Sequence, residues 1–240
     1  MNLESLQNKK VKEWASLKEK KARDETNTFL IEGDHLLKEA FKRNLVIEVI
    51  TTEKIDYEVP TFHVTNEIMK KITSQVTPPN VIAVAKKQEE KEIIGPVLIL
   101  DDIQDPGNLG TIIRSCVAFD MPNLLLSKNC VDVYNPKVIR STEGMIFHLN
   151  IVRKDLKEIL PKLKETYQII GTDVTNGVSI KEIEKDKNIA LIIGNEGNGL
   201  GLSKNYCDKF VYIPMNKACE SLNAGVSASI LLYEIGGHYE

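Results

Sequence analysis

Three stretches of this 240-residue chain place amides, carboxylates, an arginine and clustered glycines just where apolar runs end. Residues 101–114 (DDIQDPGNLGTIIR) follow the apolar run GPVLIL. Pro106, Gly107 and Gly110 make a loop with little side-chain bulk there. Asn108 is placed to cap a helix or to hold that loop. Arg114 lies one helical turn beyond Gly110, either turned back toward the loop mouth or spread on the surface. Residues 191–201 (LIIGNEGNGLG) carry glycines at 194, 197, 199 and 201 around Glu196. Glycine lets a backbone approach a ligand closely and adopt positive φ. The spacing is not GxGxxG and no Lys-Ser/Thr follows, so neither the dinucleotide fingerprint nor the P-loop applies. Residues 213–228 (IPMNKACESLNAGVSA) run from a strand end through a polar loop into a helix rich in small residues. Ser221 reads as its N-cap, and the free N–H groups of such a helix start suit an anion or polar ligand.

The elements that must position these stretches follow from periodicity. GPVLIL is continuously apolar, as strands buried on both faces of a parallel sheet are. Further strands are expected at 123–126, 146–151, 168–172, 189–194 and 210–213, with helices at 109–119, 136–140, 156–166 and 221–236. Strands separated by helices predict a mostly parallel α/β sheet over residues 95–240. Upstream, residues 5–22 read as one amphipathic helix through Val11, Trp14 and Leu17. Strands at 28–32, 45–51 and 81–85 and helices at 33–43 and 66–74 then make a small α/β domain over residues 1–88. The charged run KKQEEKE, residues 86–92, has nothing to bury, and the domain linker is placed at 89–94.

Composition narrows the classes. Apolar residues at 42% and charged residues at 27% are those of a globular chain able to form its own core. Cys116, Cys130, Cys207 and Cys219 form no CxxC pair, and the four histidines form no HExxH cluster, so no metal is expected. No apolar run approaches a membrane span and the N-terminus lacks a signal-peptide core, which predicts a cytoplasmic protein. Net charge is −3. Residues 1–23 nevertheless hold Lys9, Lys10, Lys12, Lys18, Lys20, Lys21 and Arg23 against Glu4, Glu13 and Glu19. That local excess suits either phosphates or a solvated helix face. Lys128, Lys137, Arg140 and Arg153 are further cationic candidates.

Taken together, DPGNLGTIIR, GNEGNGLG and IPM…ESLNAGVSA resemble, in order and spacing, the three signature motifs of the SpoU (TrmH-like) RNA 2'-O-ribose methyltransferases. RSTEGMIFHLNI, residues 140–151, resembles the family's stretch between motifs one and two. FLIEGDHLLKEAF and HVTNEIMKKITSQVTPPNVIAV resemble the substrate-binding domain that precedes the catalytic domain in ribosomal members. The family commonly has a glycine where this chain has Asn80.

The resemblance implies a SPOUT fold, with a deep trefoil knot in the C-terminal α/β sheet and a small α/β (L30e-like) substrate-binding domain before it. Threaded chains are exceptions to ordinary topology, so the knot comes from the resemblance alone. It also implies S-adenosyl-L-methionine as cofactor, held by Gly194, Ile213, Leu222, Thr172, Gly197 and Gly199. Arg114, Asn108, Glu196, Ser221 and Asn223 become the catalytic candidates, with Glu196 alternatively pairing with Arg114. Arg114 is read as a phosphate clamp rather than a base, because a guanidinium stays protonated near neutrality. RNA, foremost 23S rRNA, is the implied partner, gripped by the N-terminal cations and Arg140, and a homodimer is implied. A transfer-RNA or base methyltransferase and a non-catalytic RNA-binding protein of the same fold remain alternatives. A nicotinamide oxidoreductase is disfavoured by the missing fingerprint.

Overall fold

The computed structural model describes residues 1–174, 176–183, 188–195, 197 and 199–236. The chain divides into two compact units. One comprises Met1–Glu89 with Asp132–Phe147, the other Glu90–Val131 with His148–Glu240.

The first unit starts with β1 (Asn2–Leu3), α1 (Lys9–Ser16), α2 (Lys20–Thr26) and β2 (Thr28–Glu32). It continues through α3 (Asp34–Lys42), β3 (Val46–Thr51), β4 (Thr61–Val64), α4 (Asn66–Ile72) and β5 (Val81–Lys86). The sheet order is β1-β4-β3-β5-β2, with β5 antiparallel to both of its neighbours. Val11, Trp14 and Leu17 are buried with Leu30, Ile50 and Phe62 in one apolar cluster. The unit is completed by α6 (Pro136–Ser141), which follows β7 in the sequence.

The second unit holds β6 (Val97–Leu100), α5 (Pro106–Ala118), β7 (Asn123–Ser127), β8 (Asn150–Lys154) and α7 (Leu156–Leu163). After these come β9 (Gln168–Thr172), β10 (Val178–Ser179), β11 (Ile189–Ile193), β12 (Lys209–Tyr212) and α8 (Ala224–Ile235). The sheet order is β10-β12-β9-β11-β6-β7-β8, and each pairing is parallel. β6, β7 and β11 are buried at every residue, which is why β6 and β11 read as unbroken apolar runs and β7 as Leu124–Leu126 between buried Asn123 and Ser127. Val97, Ile99, Leu125, Ala190 and Ile192 share this unit's core.

Four differences from the sequence expectations have identifiable causes. The helix expected over 5–22 is two helices. Arg23 of α2 donates from Nη1 to the carbonyls of Leu17 at 2.9 Å and Lys18 at 2.7 Å, so the carbonyls freed at the end of α1 are satisfied by a side chain. The strand expected at 146–151 begins only at Asn150, whose Nδ2 donates to Asn123 Oδ1 at 2.9 Å across the β7–β8 pair. Ile146 and Phe147 are buried instead in a 3-10 turn (Met145–His148), and Phe147 stacks on Phe29. Residues 132–147 therefore interrupt the segment read as one continuous domain over 95–240 and fold with the first unit. The short strands β1 and β4 carry too few residues for a periodic signal. Among the described residues, no helix is long and apolar enough to cross a membrane.

Candidate functional site

The end of β6 is the hub of the site. Asp101 continues the ladder, its N–H donating to Ile193 O at 2.9 Å. Its carboxylate Oδ2 accepts from Gly201 N at 3.1 Å and from Ser203 Oγ at 2.5 Å. Asp102 has a left-handed backbone (φ 64°), donates its N–H to Ser127 Oγ at 3.0 Å, and offers its carbonyl to Asn195 Nδ2 at 2.9 Å. The glycine loop after β11 is thus tied at both ends to the strand beside it. Within the loop, Asn195 and Gly199 exchange backbone hydrogen bonds of 3.1 and 2.8 Å. That closure requires glycine. A Cβ on Gly194 would lie 2.3 Å from the Gly199 backbone, and Gly199 itself has φ 62°.

The loop forms one wall of a cavity of about 450 Å³. Thr172 at the end of β9, Gly194, Gly197 and Gly199 of the loop, Ile213 after β12 and Leu222 before α8 all line it, as does Ser221. The six positions that the resemblance implies for the cofactor therefore share one cavity. Among the described residues its charged lining groups are Asp173, Glu220 and Lys204, a net −1. Glu196 lies outside the described residues.

The two helices of the site run side by side in parallel. A Cβ on Gly225 would stand 3.2 Å from Thr111 Cβ, Ser115 and Ser229 share a hydroxyl hydrogen bond of 2.7 Å, and Phe119 meets Tyr233 edge-on at 5.6 Å. These contacts recur every four residues in both helices, so α5 and α8 stay in register along their length. Their N-termini consequently lie together. Asn223 Nδ2 donates to Asn108 Oδ1 at 2.9 Å, while Asn223 Oδ1 accepts from Gly225 N and Val226 N.

Of the two roles open to Asn108, capping falls to another residue, and the reading of Ser221 as a cap is corrected. Asp105, not Asn108, caps α5, its side chain accepting from Asn108 N. Asn223, not Ser221, caps α8. In each case the residue immediately before the first helical turn wins, because its side chain alone reaches the free N–H groups. Arg114 is exposed on α5 and, among the described residues, forms no hydrogen bond or ion pair.

The cations divide sharply. Arg23 is 2% exposed and pairs with Asp132 at 2.6 Å, so burial removes it from any phosphate-binding face. Arg153 donates to the carbonyls of Ser127, Lys128, Cys130 and Val131, which makes it a structural clamp. Lys10 is paired with Glu48, and Lys18 donates to Lys71 O. Lys9, Lys20 and Lys21 make exposed i,i+4 pairs with Glu13, Asp24 and Glu25. Such pairs are weak enough to exchange for phosphate. Lys12 is exposed, Lys128 pairs with Asp155, and Lys137 is exposed. Arg140 pairs with Glu32 at 3.9 Å. Among the described residues, no group of three or more His, Cys, Asp or Glu is placed to hold a metal.

Sequence reasoning missed Asp101, Asn195 and Ser203. Asp101 meets Gly201 across 100 residues of chain, and no local spacing announces a partner so distant.

A seven-stranded parallel sheet with a glycine-walled cavity at its strand ends defines an α/β protein with a binding site for a small ligand. A solved RNA 2'-O ribose methyltransferase is 28% identical and superposes with a TM-score of 0.83, each chain covered to 98%. An AdoMet-bound rRNA methyltransferase from Sinorhizobium meliloti is 25% identical with a TM-score of 0.87, covering 98% of this chain and 97% of that one. The SpoU rRNA Methylase family model matches residues 95–233, and the MRM3-like substrate binding domain matches residues 8–83. The chain belongs to the SpoU rRNA methylase family. A Bacillus subtilis relative, 23S rRNA (guanosine(2553)-2'-O)-methyltransferase RlmP, is 37% identical over 98% of this chain and 99% of its own.

Proposed function

We propose that this chain transfers the methyl group of S-adenosylmethionine to a ribose 2'-hydroxyl of 23S rRNA. The observation that carries the reading is the cavity built by the second and third motif segments, with the first segment tied to its rim through the Asn108–Asn223 hydrogen bond. The residues present fit that cofactor. Gly194 leaves room where any side chain would strike Gly199, Ile213 and Leu222 offer apolar contact, and the net −1 of the described lining residues suits a cation. When bound, S-adenosylmethionine supplies an electrophilic methyl on a sulfonium.

The chain's own residues then have three tasks. They must orient a weak nucleophile in line with the methyl, a contribution that can reach roughly 7–11 kcal/mol. They must accommodate loss of the hydroxyl proton. They must hold the RNA while this happens. Asn108 and Asn223, fixed on each other at the adjoining starts of α5 and α8, form a rigid polar edge at a site of positive helix-dipole potential. Arg114, exposed on the same helix with its guanidinium uncommitted, is the phosphate clamp. Glu196 and Ser221 complete the proposed catalytic set, and Lys9, Lys12, Lys20 and Lys21 are the cations of the N-terminal helices that remain open to RNA. The trefoil knot, a homodimer through α8, whose Val226 and Tyr233 are exposed, and a cytoplasmic location belong to the same proposal.

Mass spectrometry of 23S rRNA from cells lacking the protein tests the reading. Loss of one 2'-O-methyl is expected, first at the position matching guanosine 2553 of the Bacillus relative's substrate. An unchanged methylation map would refute it.

A further inference from the structure

The first unit contains a buried carboxylate with no part in its apolar core. Glu32, at the end of β2, is 6% exposed. Its Oε2 accepts from Thr73 Oγ1 at 2.5 Å and Gln75 Nε2 at 3.0 Å, and its Oε1 from Ser74 N at 3.0 Å and Ser74 Oγ at 2.7 Å. Burial opposes its charge, yet the donors on Thr73, Ser74 and Gln75 outweigh burial and hold the group ionised below its ordinary range. Burying an anion is costly unless it is fully hydrogen-bonded. What this one secures is a loop. Residues 73–75 open the segment 73–80, which ends at Asn80. There the Asn80 carbonyl accepts from Thr51 Oγ1 and Thr52 N, and Asn80 Nδ2 donates to Glu53 Oε1. Pro78 and Pro79 stiffen the loop between these ties. Its tip is nonetheless bare, with Val76 fully exposed and Thr77 exposed.

The excursion 132–147 brings Arg140 to this same corner. Arg140 Nη1 donates to Ser74 Oγ and stands 3.9 Å from Glu32 Oε1. Glu32 is already satisfied by four other donors. A guanidinium has five donors, and among the described residues the rest of Arg140's are uncommitted. The corner is thus a rigid, solvent-facing loop beside a forked cation held in fixed orientation.

We propose that the loop 73–80 and Arg140 form the RNA-contact corner of the first unit, with Glu32 as the positioning residue that locks both. Resting on the rRNA methyltransferase reading above, this names the surface that meets the substrate. Arg140 takes a backbone phosphate through its free fork. Val76 and Thr77 meet the ribose and base faces of an unpaired segment, the usual target of sequence-specific RNA recognition. A loop fixed before binding loses little entropy on association.

The test is binding of the full-length protein to deproteinised 23S rRNA from cells lacking the protein, measured against salt. Arg140→Ala is expected to weaken binding roughly tenfold and to lower the log–log salt slope by about one. Val76→Asp, a change at a fully exposed tip that leaves folding intact, is expected to weaken binding as well. Glu32→Gln is expected to reproduce part of the Arg140→Ala loss and to add little to it in the double variant. S-adenosylmethionine affinity is expected to stay at the wild-type level in Val76→Asp, which separates lost RNA contact from misfolding. If Val76→Asp and Arg140→Ala both bind RNA like the wild type with an unchanged salt slope, the corner is not an RNA contact. That result overturns this proposal alone when the wild type methylates the RNA. A wild type that neither binds nor methylates it overturns the underlying reading.

Discussion

Asn223 and Asn108 touch through one amide hydrogen bond of 2.9 Å, although 115 residues separate them. Asn223 simultaneously caps α8 through Gly225 and Val226, so one side chain both starts a helix and fixes the neighbouring motif. Asn223→Ala should cost about 1 kcal/mol of stability from the lost cap. It should also cost activity that Asn108→Ala costs too. The two losses in methyl transfer are expected to be strongly non-additive, as they are for groups that share one interaction. Transfer rates and denaturant midpoints of both single variants and the double variant measure this, and additive activity losses would show that the bond does no catalytic positioning.

Arg114 has no protein partner among the described residues, so its removal should disturb little besides the substrate. Arg114→Ala is expected to lower kcat by about a hundredfold or more, the scale for losing one electrostatic donor in a site. Calorimetric affinity for S-adenosylmethionine should fall only modestly. Near-normal turnover would remove the clamp role.

Gly194→Ala would place a methyl 2.3 Å from the Gly199 backbone. The loop must open to accept it, carrying the cavity wall away. The wild type should gain about 2.7 kcal/mol of apparent stability at cofactor concentrations of 100 Kd. Gly194→Ala should lose most of that thermal shift while still folding. A full shift in the variant would mean the loop does not line the cofactor site.

Glu32 gives a pH-dependent stability with a defined sign. Its folded pKa lies below the ordinary 4.5, so the unfolded chain takes up its proton first as pH falls. The stability it contributes is complete above about pH 5 and is lost as pH drops through the folded value. Melting temperatures between pH 3 and 7 should therefore fall on the acid side, and Glu32→Gln should flatten that part of the profile. An identical acid limb in the variant would show the carboxylate is not selectively stabilised.

The buried strands were readable because β6 and β11 must be apolar on both faces, and the site loops were readable because glycines cluster where those two strands stop. Residues 213–228 were legible as a helix start, but the cap was displaced by two residues, since Ser221 and Asn223 have the same local preference and only the α5 contact chooses between them. Arg23 and Arg153 resembled surface cations because charge alone does not reveal that a guanidinium is occupied by backbone carbonyls. Residues 132–147 looked continuous with their flanks. Their partners Phe29, Glu32 and Arg23 lie a hundred residues upstream, where no local pattern reports them.

The most direct measurement is incubation of the purified protein with methyl-tritiated S-adenosylmethionine and 23S rRNA from cells lacking it, followed by alkaline hydrolysis. A 2'-O-methyl ribose blocks cleavage of the adjoining phosphodiester, so the label should appear in a single alkali-resistant dinucleotide. Label in ordinary mononucleotides, or no label in the RNA while the cofactor binds, would contradict ribose methylation by this chain.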